Sequence, residues 1–307
     1  MSEQTLKRVL GALGIVAVLW LGSVLLSGRG GGGVASDDGD IASLFEGLNG
    51  TTVVAVQIVG PNQTVSLQRS GGSWTVNGNP ADSLAVARLW NALSSAEVGE
   101  VLATNPANHE RMGLSGDSAR TVDFTLTDGG VASFLVGKPG PSFPSVFVRL
   151  PDHDEVVAVS GDLRPIVVQN VTRWRDKTIL RVDTAAVVRV VLETDEGIHV
   201  AERADSSWSV DGEPANIGTI RSLLGALANL NAQEFVEDGE ALEEDPTRVI
   251  ALGADGDTLG IVVITGASGT NHARTPGRAT VFEILSLPAS RLTPAIESLR
   301  AADPDGA

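Results

Sequence analysis

Histidine side chains are the strongest candidate metal ligands in this sequence, and their spacing does not predict a metal site. His109, His153, His199 and His272 lie far apart, and no two of them have the His-x-x-x-His spacing that puts two imidazoles on one helix face. The chain also has no cysteine, which excludes thiolate ligands, disulfides and thiolate catalysis. We therefore predict that the protein has no metal ion and no other cofactor.

A second set of candidates is the run of acidic residues between Glu234 and Asp245. Its spacing lacks the glycine and the final glutamate of an EF-hand loop, so we interpret it as a solvated loop. Weak binding of Ca²⁺ or of a cationic partner is the alternative. Asp152-His153-Asp154-Glu155 is predicted to be a hairpin turn, and Gly116-Asp117-Ser118 lacks the second glycine of a nucleophile elbow. The sequence therefore predicts no catalytic residue.

Composition bounds the class of protein. The chain has 307 residues, of which 42% are hydrophobic, and this is enough for about two globular domains. The formal net charge is −16, and lysine occurs only at positions 7, 138 and 177. Contacts with nucleic-acid phosphates need clustered lysine and arginine, so the charge argues against a nucleic-acid partner.

Residues 9–26 are uncharged and almost entirely apolar. At about 1.5 Å per residue, a helix over this segment is just long enough to cross a hydrocarbon core of roughly 30 Å when the side chains at its ends snorkel to the interface. Lys7 and Arg8 precede the segment and Asp37 follows it, so the positive-inside rule places the N-terminus in the cytoplasm and the bulk of the chain in the periplasm or otherwise outside. We predict a single-pass anchor in the cytoplasmic membrane. A signal peptide cleaved after Gly33-Val34-Ala35 is the alternative.

One tryptophan-containing segment occurs twice. Trp74-Thr75-Val76-Asn77-Gly78-Asn79-Pro80-Ala81 recurs 134 residues later as Trp208-Ser209-Val210-Asp211-Gly212-Glu213-Pro214-Ala215. Asn-Gly and Asp-Gly signal tight turns, so each segment predicts a hairpin, followed by a helix near 82–95 or 216–230. An aromatic residue beside such a turn usually packs in a core, although a ligand platform is the alternative. The signature of this structural repeat is Trp74, Gly78, Pro80, Trp208, Gly212 and Pro214.

The order of short strands and helices predicts an α+β fold. We expect an N-terminal transmembrane helix followed by two tandem homologous β-rich modules, each a mostly antiparallel sheet with one main helix. We expect Asp162-Leu163-Arg164-Pro165 of the first module to recur as Arg291-Leu292-Thr293-Pro294. The predicted divisions are a cytoplasmic stub and anchor (1–27), a Gly-rich tether (28–40), module 1 (41–178), module 2 (179–299) and a disordered tail (300–307).

Three groups of residues resemble a bacterial family known as domain of unknown function 4340. They are Trp74, Gly78 and Ala81, then Met112-Gly113-Leu114-Ser115, where the family tends to have an aromatic residue in place of Met112, and then Arg175-Asp176-Lys177. The likeness covers roughly residues 41–299. It implies a membrane-anchored tandem β-α-β protein, and members of the family often accompany auxiliary components of ABC-type export systems of the gliding-motility kind. It implies no catalytic residue.

Two functions from different classes fit these patterns. The first is a non-catalytic, membrane-anchored interaction or scaffold component of the cell envelope with a protein partner, auxiliary to an ABC-type transport system. The alternative is an envelope hydrolase that uses aspartate or glutamate carboxylates in a pocket of the repeat modules. We favour the first, because the sequence contains no recognisable pairing of a nucleophile with a base.

Overall fold

The computed structural model describes residues 40–205, 207–236, 246–267 and 270–301. The predicted anchor, the tether before Asp40 and the tail from residue 302 lie outside this part of the chain. Within it, no helix is long and apolar enough to cross a membrane. The chain passes from one compact unit to another between Trp174 and Arg175, and we call them unit 1 and unit 2. The predicted boundary at 178–179 lies four residues further on, within a short strand of unit 2.

Unit 1 contains a nine-stranded sheet in which every neighbouring pair is antiparallel, with the order β4-β3-β2-β1-β6-β7-β8-β9-β5. β-branched residues alternate with polar ones in several of its strands, which suits a sheet with one buried face. The strands are β1 (Val53–Val59), β2 (Thr64–Ser70), β3 (Ser73–Val76), β4 (Asn79–Pro80), β5 (Glu97–Ala103), β6 (Arg120–Leu126), β7 (Val131–Pro139), β8 (Ser145–Arg149) and β9 (Val156–Ser160).

The main helix of unit 1 shares one hydrophobic core with the sheet. The side chain of Asp82 caps this helix by accepting hydrogen bonds from the backbone N–H groups of Leu84 and Ala85, as its sequence position predicts. Leu89 and Leu93 of the helix are buried in the same cluster as Phe124 of the sheet. The helices of unit 1 are α1 (Ile41–Gly47), α2 (Ser83–Ser94, the main helix), α3 (His109–Met112), α4 (Leu163–Val167) and α5 (Val171–Trp174).

Unit 2 contains a second nine-stranded antiparallel sheet, with the order β14-β13-β12-β11-β17-β18-β19-β20-β16, and a two-stranded sheet of β10 and β15. The strands are β10 (Thr178–Leu180), β11 (Arg189–Thr194), β12 (Gly197–Ala204), β13 (Ser207–Val210), β14 (Glu213–Pro214), β15 (Leu230–Asn231), β16 (Glu234–Val236), β17 (Thr247–Leu252), β18 (Thr258–Ala267), β19 (Thr270–Arg274) and β20 (Val281–Ile284). The helices are α6 (Ile217–Ala228, the main helix), α7 (Ser286–Leu292) and α8 (Ile296–Leu299).

The α+β prediction with mostly antiparallel sheets is confirmed, and the two large sheets share one strand order. Two strands differ from the sequence prediction. Glu234–Val236 forms the edge strand β16 rather than a loop, because it pairs with β20. β19 was not predicted, since its sequence Thr-Asn-His-Ala-Arg has little β-propensity and it is held between β18 and β20.

The expected recurrence of residues 162–165 at 291–294 is wrong. Asp162 directly precedes α4, whereas Arg291 lies in the last turn of α7. The true correspondence is shown by backbone hydrogen bonds to the main helices. Trp174 at the end of α5 accepts from the N–H of Asp82 at 2.8 Å, and Leu299 at the end of α8 accepts from the N–H of Asn216 at 2.7 Å. The last short helix of each unit thus closes onto the start of the main helix.

Candidate functional site

The two tryptophan hairpins have the same backbone geometry. Asn77 and Gly78 have φ of 46° and 79°, and Asp211 and Gly212 have φ of 52° and 87°, so each turn has two consecutive left-handed residues. These are the angles of a type I′ turn, which explains why the Asn-Gly and Asp-Gly pairs occur there. Pro80 and Pro214 follow in the two-residue edge strands β4 and β14.

The side chain of the first turn residue accepts an equivalent hydrogen bond from a backbone N–H group in both hairpins. Asn77 Oδ1 accepts a hydrogen bond from the Ser66 N–H at 2.7 Å. Asp211 Oδ1 accepts one from the Val200 N–H at 2.8 Å. Asparagine and aspartate both offer an acceptor oxygen at this position, so the hydrogen bond persists when the residue type changes.

Each tryptophan of the signature is half-buried and packs against the core of its own unit. Trp74 also contacts Trp90 of the main helix, with ring centroids 5.6 Å apart. Leu224 stands 134 residues after Trp90, so unit 2 has no second aromatic ring at that place. Both tryptophans face an arginine across the hairpin, Arg69 and Arg203 respectively.

These two arginines extend the repeat beyond the predicted signature. Arg69 donates a hydrogen bond to the Gly50 carbonyl at 2.7 Å, and Arg203 donates one to the Ala185 carbonyl at 3.1 Å. Gly50 lies in the segment that leads into β1, and Ala185 lies in the segment that leads into β11, which has the position of β1 in the sheet of unit 2. The arginines are also 134 residues apart, and this spacing could have revealed them in the sequence.

The motif of Met112, Gly113 and Leu114 has a structural role. Met112 and Leu114 are buried in a small cluster with Val156. Gly113 has a φ of 72°, and a Cβ there would lie 2.8 Å from the Lys138 side chain. Both its backbone angle and this close approach require glycine.

The motif of Arg175, Asp176 and Lys177 stabilises the start of unit 2. The Arg175 guanidinium lies 3.5 Å from the centroid of the Phe235 ring. Asp176 accepts a hydrogen bond from the Thr178 N–H at 2.9 Å, and Lys177 Nζ lies 3.8 Å from Glu234. The motif therefore connects to the edge strand β16.

His199 belongs to a polar cluster that the sequence did not predict. Its Nδ1 lies 2.8 Å from Asp211 Oδ2, and Arg300 Nη2 lies 3.4 Å from the same oxygen. The hydrogen bond from His199, then that from the Val200 N–H, lowers the pKa of the Asp211 carboxyl, and Arg300 adds to the effect. The corresponding residues in unit 1, Val65 and Asn77, have no charge.

Asp123 lies in the middle of the unit 1 sheet, on the face opposite the core. Ser133 on the neighbouring strand donates a short hydrogen bond to its carboxylate. Burial raises the pKa of Asp123, and the hydrogen bond from Ser133 partly offsets this effect. No other carboxyl group in the described residues is hydrogen-bonded to this pair, so it does not form a carboxylate dyad.

The sheet face opposite the main helix differs between the units. In unit 1, cross-strand neighbours form a polar row: Ser66, Gln57, Asp123 and Ser133. In unit 2, the residues in the same register form an aliphatic row: Val200, Val191, Ile250 and Ile261. The side chains of the aliphatic row lie outside the hydrophobic core cluster and are half-buried.

An acidic groove of about 660 Å³ lies in unit 1 between α1, β5 and the β8–β9 turn. Its apolar lining is Ile41, Val98, Val101, Leu150 and Val157, and its acidic lining is Asp40, Asp152, Asp154 and Glu155. The turn prediction for residues 152–155 is confirmed, since they connect β8 to β9. No cation of the described chain forms an ion pair with Asp152, Asp154 or Glu155.

Hydrogen bonds to main-chain carbonyls hold the turn beside this groove. Arg149 Nη1 donates to the carbonyls of Leu150 at 2.9 Å, Pro151 at 2.5 Å and His153 at 3.1 Å. The buried His109 ring places Nε2 3.0 Å from the Asp154 carbonyl. These contacts use main-chain acceptors, so the carboxylates of the turn remain available to a ligand.

The remaining candidate ligands do not converge. Among the residues that the structure describes, no three His, Asp or Glu side chains are grouped so that they could hold a metal ion. His272 lies on β19 opposite Glu283, in unit 2. The acidic run from residue 237 to 245 lies outside the described residues, so its interpretation as a solvated loop stays a prediction.

The protein belongs to the α+β class. It has two large antiparallel sheets, and each sheet packs against one main helix and has a tryptophan hairpin at one edge. A family model described as Domain of unknown function (DUF4340) matches residues 74–249, and the chain therefore belongs to that family. The match begins at Trp74 and extends into β17, so it includes both hairpins. No curated protein and no solved structure matches the chain.

Proposed function

We propose that the protein is a membrane-anchored, non-catalytic interaction component of the cell envelope, auxiliary to an ABC-type transport system. The anchor is the apolar segment 9–26, which would place both units outside the cytoplasmic membrane, and the two units are a tandem duplication. The sequence contains no recognisable pairing of a nucleophile with a base, which favours a binding role over catalysis.

The acidic groove of unit 1 is the observation that carries this proposal. It combines an apolar lining with carboxylates that have no ion-pair partner among the described residues. Protein-interaction sites have this anatomy, with an apolar centre and a polar rim. The groove is also bounded by Asp40, so it lies where the tether enters unit 1.

Site-specific crosslinking in the native bacterium tests the proposal. A photoreactive residue replaces Val101, which lines the groove and is 49% exposed. The matched control is Val131, which is 56% exposed on β7 and outside the groove. We expect Val101 alone to yield a discrete adduct with one envelope protein, identified by mass spectrometry as a transporter component.

Two results would overturn the proposal. One is the same set of adducts from both positions, which would show only random collision. The other is an active reporter fused after Ala307 in the cytoplasm, since an interaction in the envelope requires export. In membranes, the full chain should resist extraction by alkaline carbonate if residues 9–26 remain attached.

A further inference from the structure

We infer that the free edge of β5, together with the acidic groove beside it, binds an extended basic segment of a partner protein by strand addition. This inference rests on the proposed function and names the chemistry of the partner. β5 ends the sheet of unit 1, and among the residues that the structure describes it pairs only with β9. Its other edge therefore presents backbone N–H and C=O groups that an extended peptide can pair with.

β5 is also the longest sheet edge in the described residues. It has seven residues, whereas the edge strands β4 and β14 have two each and contain proline, and β16 has three. Natural proteins usually keep exposed edges short or place proline in them, because a long edge invites pairing with another chain. Only β5 among these edges has the length that strand addition needs, although its register with β9 shifts between Val98 and Val101 and between Val101 and Ala103, so the edge is irregular there.

The side chains of β5 offer apolar contacts to an added strand. Val101 is 49% exposed and Leu102 is 44% exposed. The register of β5 against β9 shifts between Val101 and Ala103, so the regular alternation of a strand does not apply to this pair, but Val101 lines the groove. The groove next to Val101 can accept alternate side chains of the peptide, which is how strand addition acquires specificity.

Charge determines which partner fits. Asp152, Asp154 and Glu155 border the groove, and Glu97 and Glu100 are exposed on β5 itself. Lysine or arginine in the added strand would complement these carboxylates. Two copies of β5 would instead bring like charges together, which disfavours self-pairing. The segment before Asp40 is acidic as well, with Asp37 and Asp38, and does not complement the groove.

Peptide binding to the full-length protein in nanodiscs tests the inference. The probe is an octapeptide of alternating lysine and valine, and its controls replace lysine by glutamate or methylate every second backbone nitrogen. We expect the lysine peptide to bind and each control to bind about tenfold more weakly or not at all. Methylation keeps the charge but removes backbone donors, so it separates strand addition from simple charge attraction.

Replacing the carboxylates that border the groove by amides tests the same inference from the side of the protein. The triple variant Asp152→Asn/Asp154→Asn/Glu155→Gln should weaken the lysine peptide about tenfold. The control Asp195→Asn/Glu196→Gln/Asp255→Asn removes three exposed charges from turns of unit 2 and should leave binding unchanged. If both variants lost the same amount of affinity for the lysine peptide, binding would depend only on the net charge of the protein, and the inference would be overturned.

The outcomes also separate this inference from the proposed function. Equal binding of the N-methylated and parent peptides would overturn strand addition. A transporter component crosslinked at Val101 through a segment without basic residues would overturn the partner chemistry while the interaction role stands. Absence of any specific adduct at Val101 would contradict the interaction role itself.

Discussion

Units 1 and 2 share a strand order, yet they differ on the sheet face opposite the main helix. There the polar row of unit 1, with Asp123 at its centre, corresponds to the aliphatic row of unit 2, with Ile250 in the same register. On the core face the corresponding positions are apolar in both units, as Val56 and Val190 illustrate. The fold constrains the face that packs on the helix and leaves the other face free to diverge.

The hydrophobic cores of the two units also use side chains of different size at corresponding positions. In unit 1, Phe124 and Phe134 stack with centroids 5.6 Å apart, and Phe45 of α1 packs edge-on against Phe134. The residues in the same register of unit 2 are Ala251 and Val262, which are much smaller. The helix α1 thus adds a third aromatic ring beside Phe124 and Phe134, whereas the buried phenylalanine of unit 2, Phe282, lies on β20.

The largest expected effect concerns the tryptophans that the units share. Trp74→Ala and Trp208→Ala should each lower the free energy of unfolding of their own unit by about 3 kcal/mol, because each ring packs against a core. Trp74 should cost more, by about 0.5–1.5 kcal/mol, because it alone has an aromatic neighbour, Trp90. Chemical denaturation gives the energies, and hydrogen exchange assigns each loss to a unit.

A double-mutant cycle sharpens this comparison. The coupling between Trp74 and Trp90 should exceed that between Trp208 and Leu224. Near-normal stability in both alanine variants, combined with loss of partner binding, would instead assign the tryptophans to a ligand platform.

The next effect comes from transferring the polar residue of unit 1 into unit 2. Ile250→Asp should destabilise unit 2 by about 2 kcal/mol, because it removes a half-buried aliphatic side chain and leaves a carboxylate among apolar neighbours. Adding Ile261→Ser supplies the hydroxyl that Ser133 provides in unit 1, so the double variant should recover part of the loss. A double variant less stable than the sum of its singles would contradict this account.

Removing the charge of Asp123 from unit 1 should change the stability by a smaller amount and in the opposite direction. Burial raises the pKa of Asp123, so the folded protein holds this proton more tightly than the unfolded chain. Its favourable contribution is therefore complete below the ordinary aspartate pKa and is lost as pH rises through the folded pKa. Asp123→Asn should raise the melting temperature at pH 7, and the gain should vanish in acid. Ser133→Ala, which removes the hydrogen bond instead, should lower it.

The smallest effect concerns the turn that carries a charge only in unit 2. The pKa of Asp211 is lowered, chiefly by the hydrogen bond from His199, so its contribution is present above the ordinary aspartate pKa and is lost as pH falls through the folded pKa. Asp211→Asn keeps an acceptor for the Val200 N–H, as Asn77 does in unit 1. The parent should be slightly more stable at neutral pH, and the difference should disappear in acid. The matched change Asn77→Asp should show no gain, since Val65 stands where unit 2 has His199.

The local features of the fold were predictable because they depend on neighbouring residues. Asn77-Gly78 and Asp211-Gly212 signal their turns, since both positions need positive φ. Asp82 signals the start of the main helix because an N-cap needs only its own side chain and the next three residues. The recurrence of Trp74 at Trp208 likewise needs nothing but the sequence.

Tertiary structure alone decided which distant residues meet. Asp123 and Ser133 are ten positions apart in the sequence, but only the register of β6 and β7 places them opposite each other, and a slip of one residue would turn them to different faces. β19 and β16 become strands because of their neighbours, and β5 becomes a sheet edge because no strand in the described part of the chain pairs with its other side. The groove follows from that arrangement, since it gathers residues from α1, β5 and the β8–β9 turn, which are far apart in the chain. Sequence patterns report local preference, whereas contacts between distant segments depend on strand pairing that forms only when the whole sheet assembles.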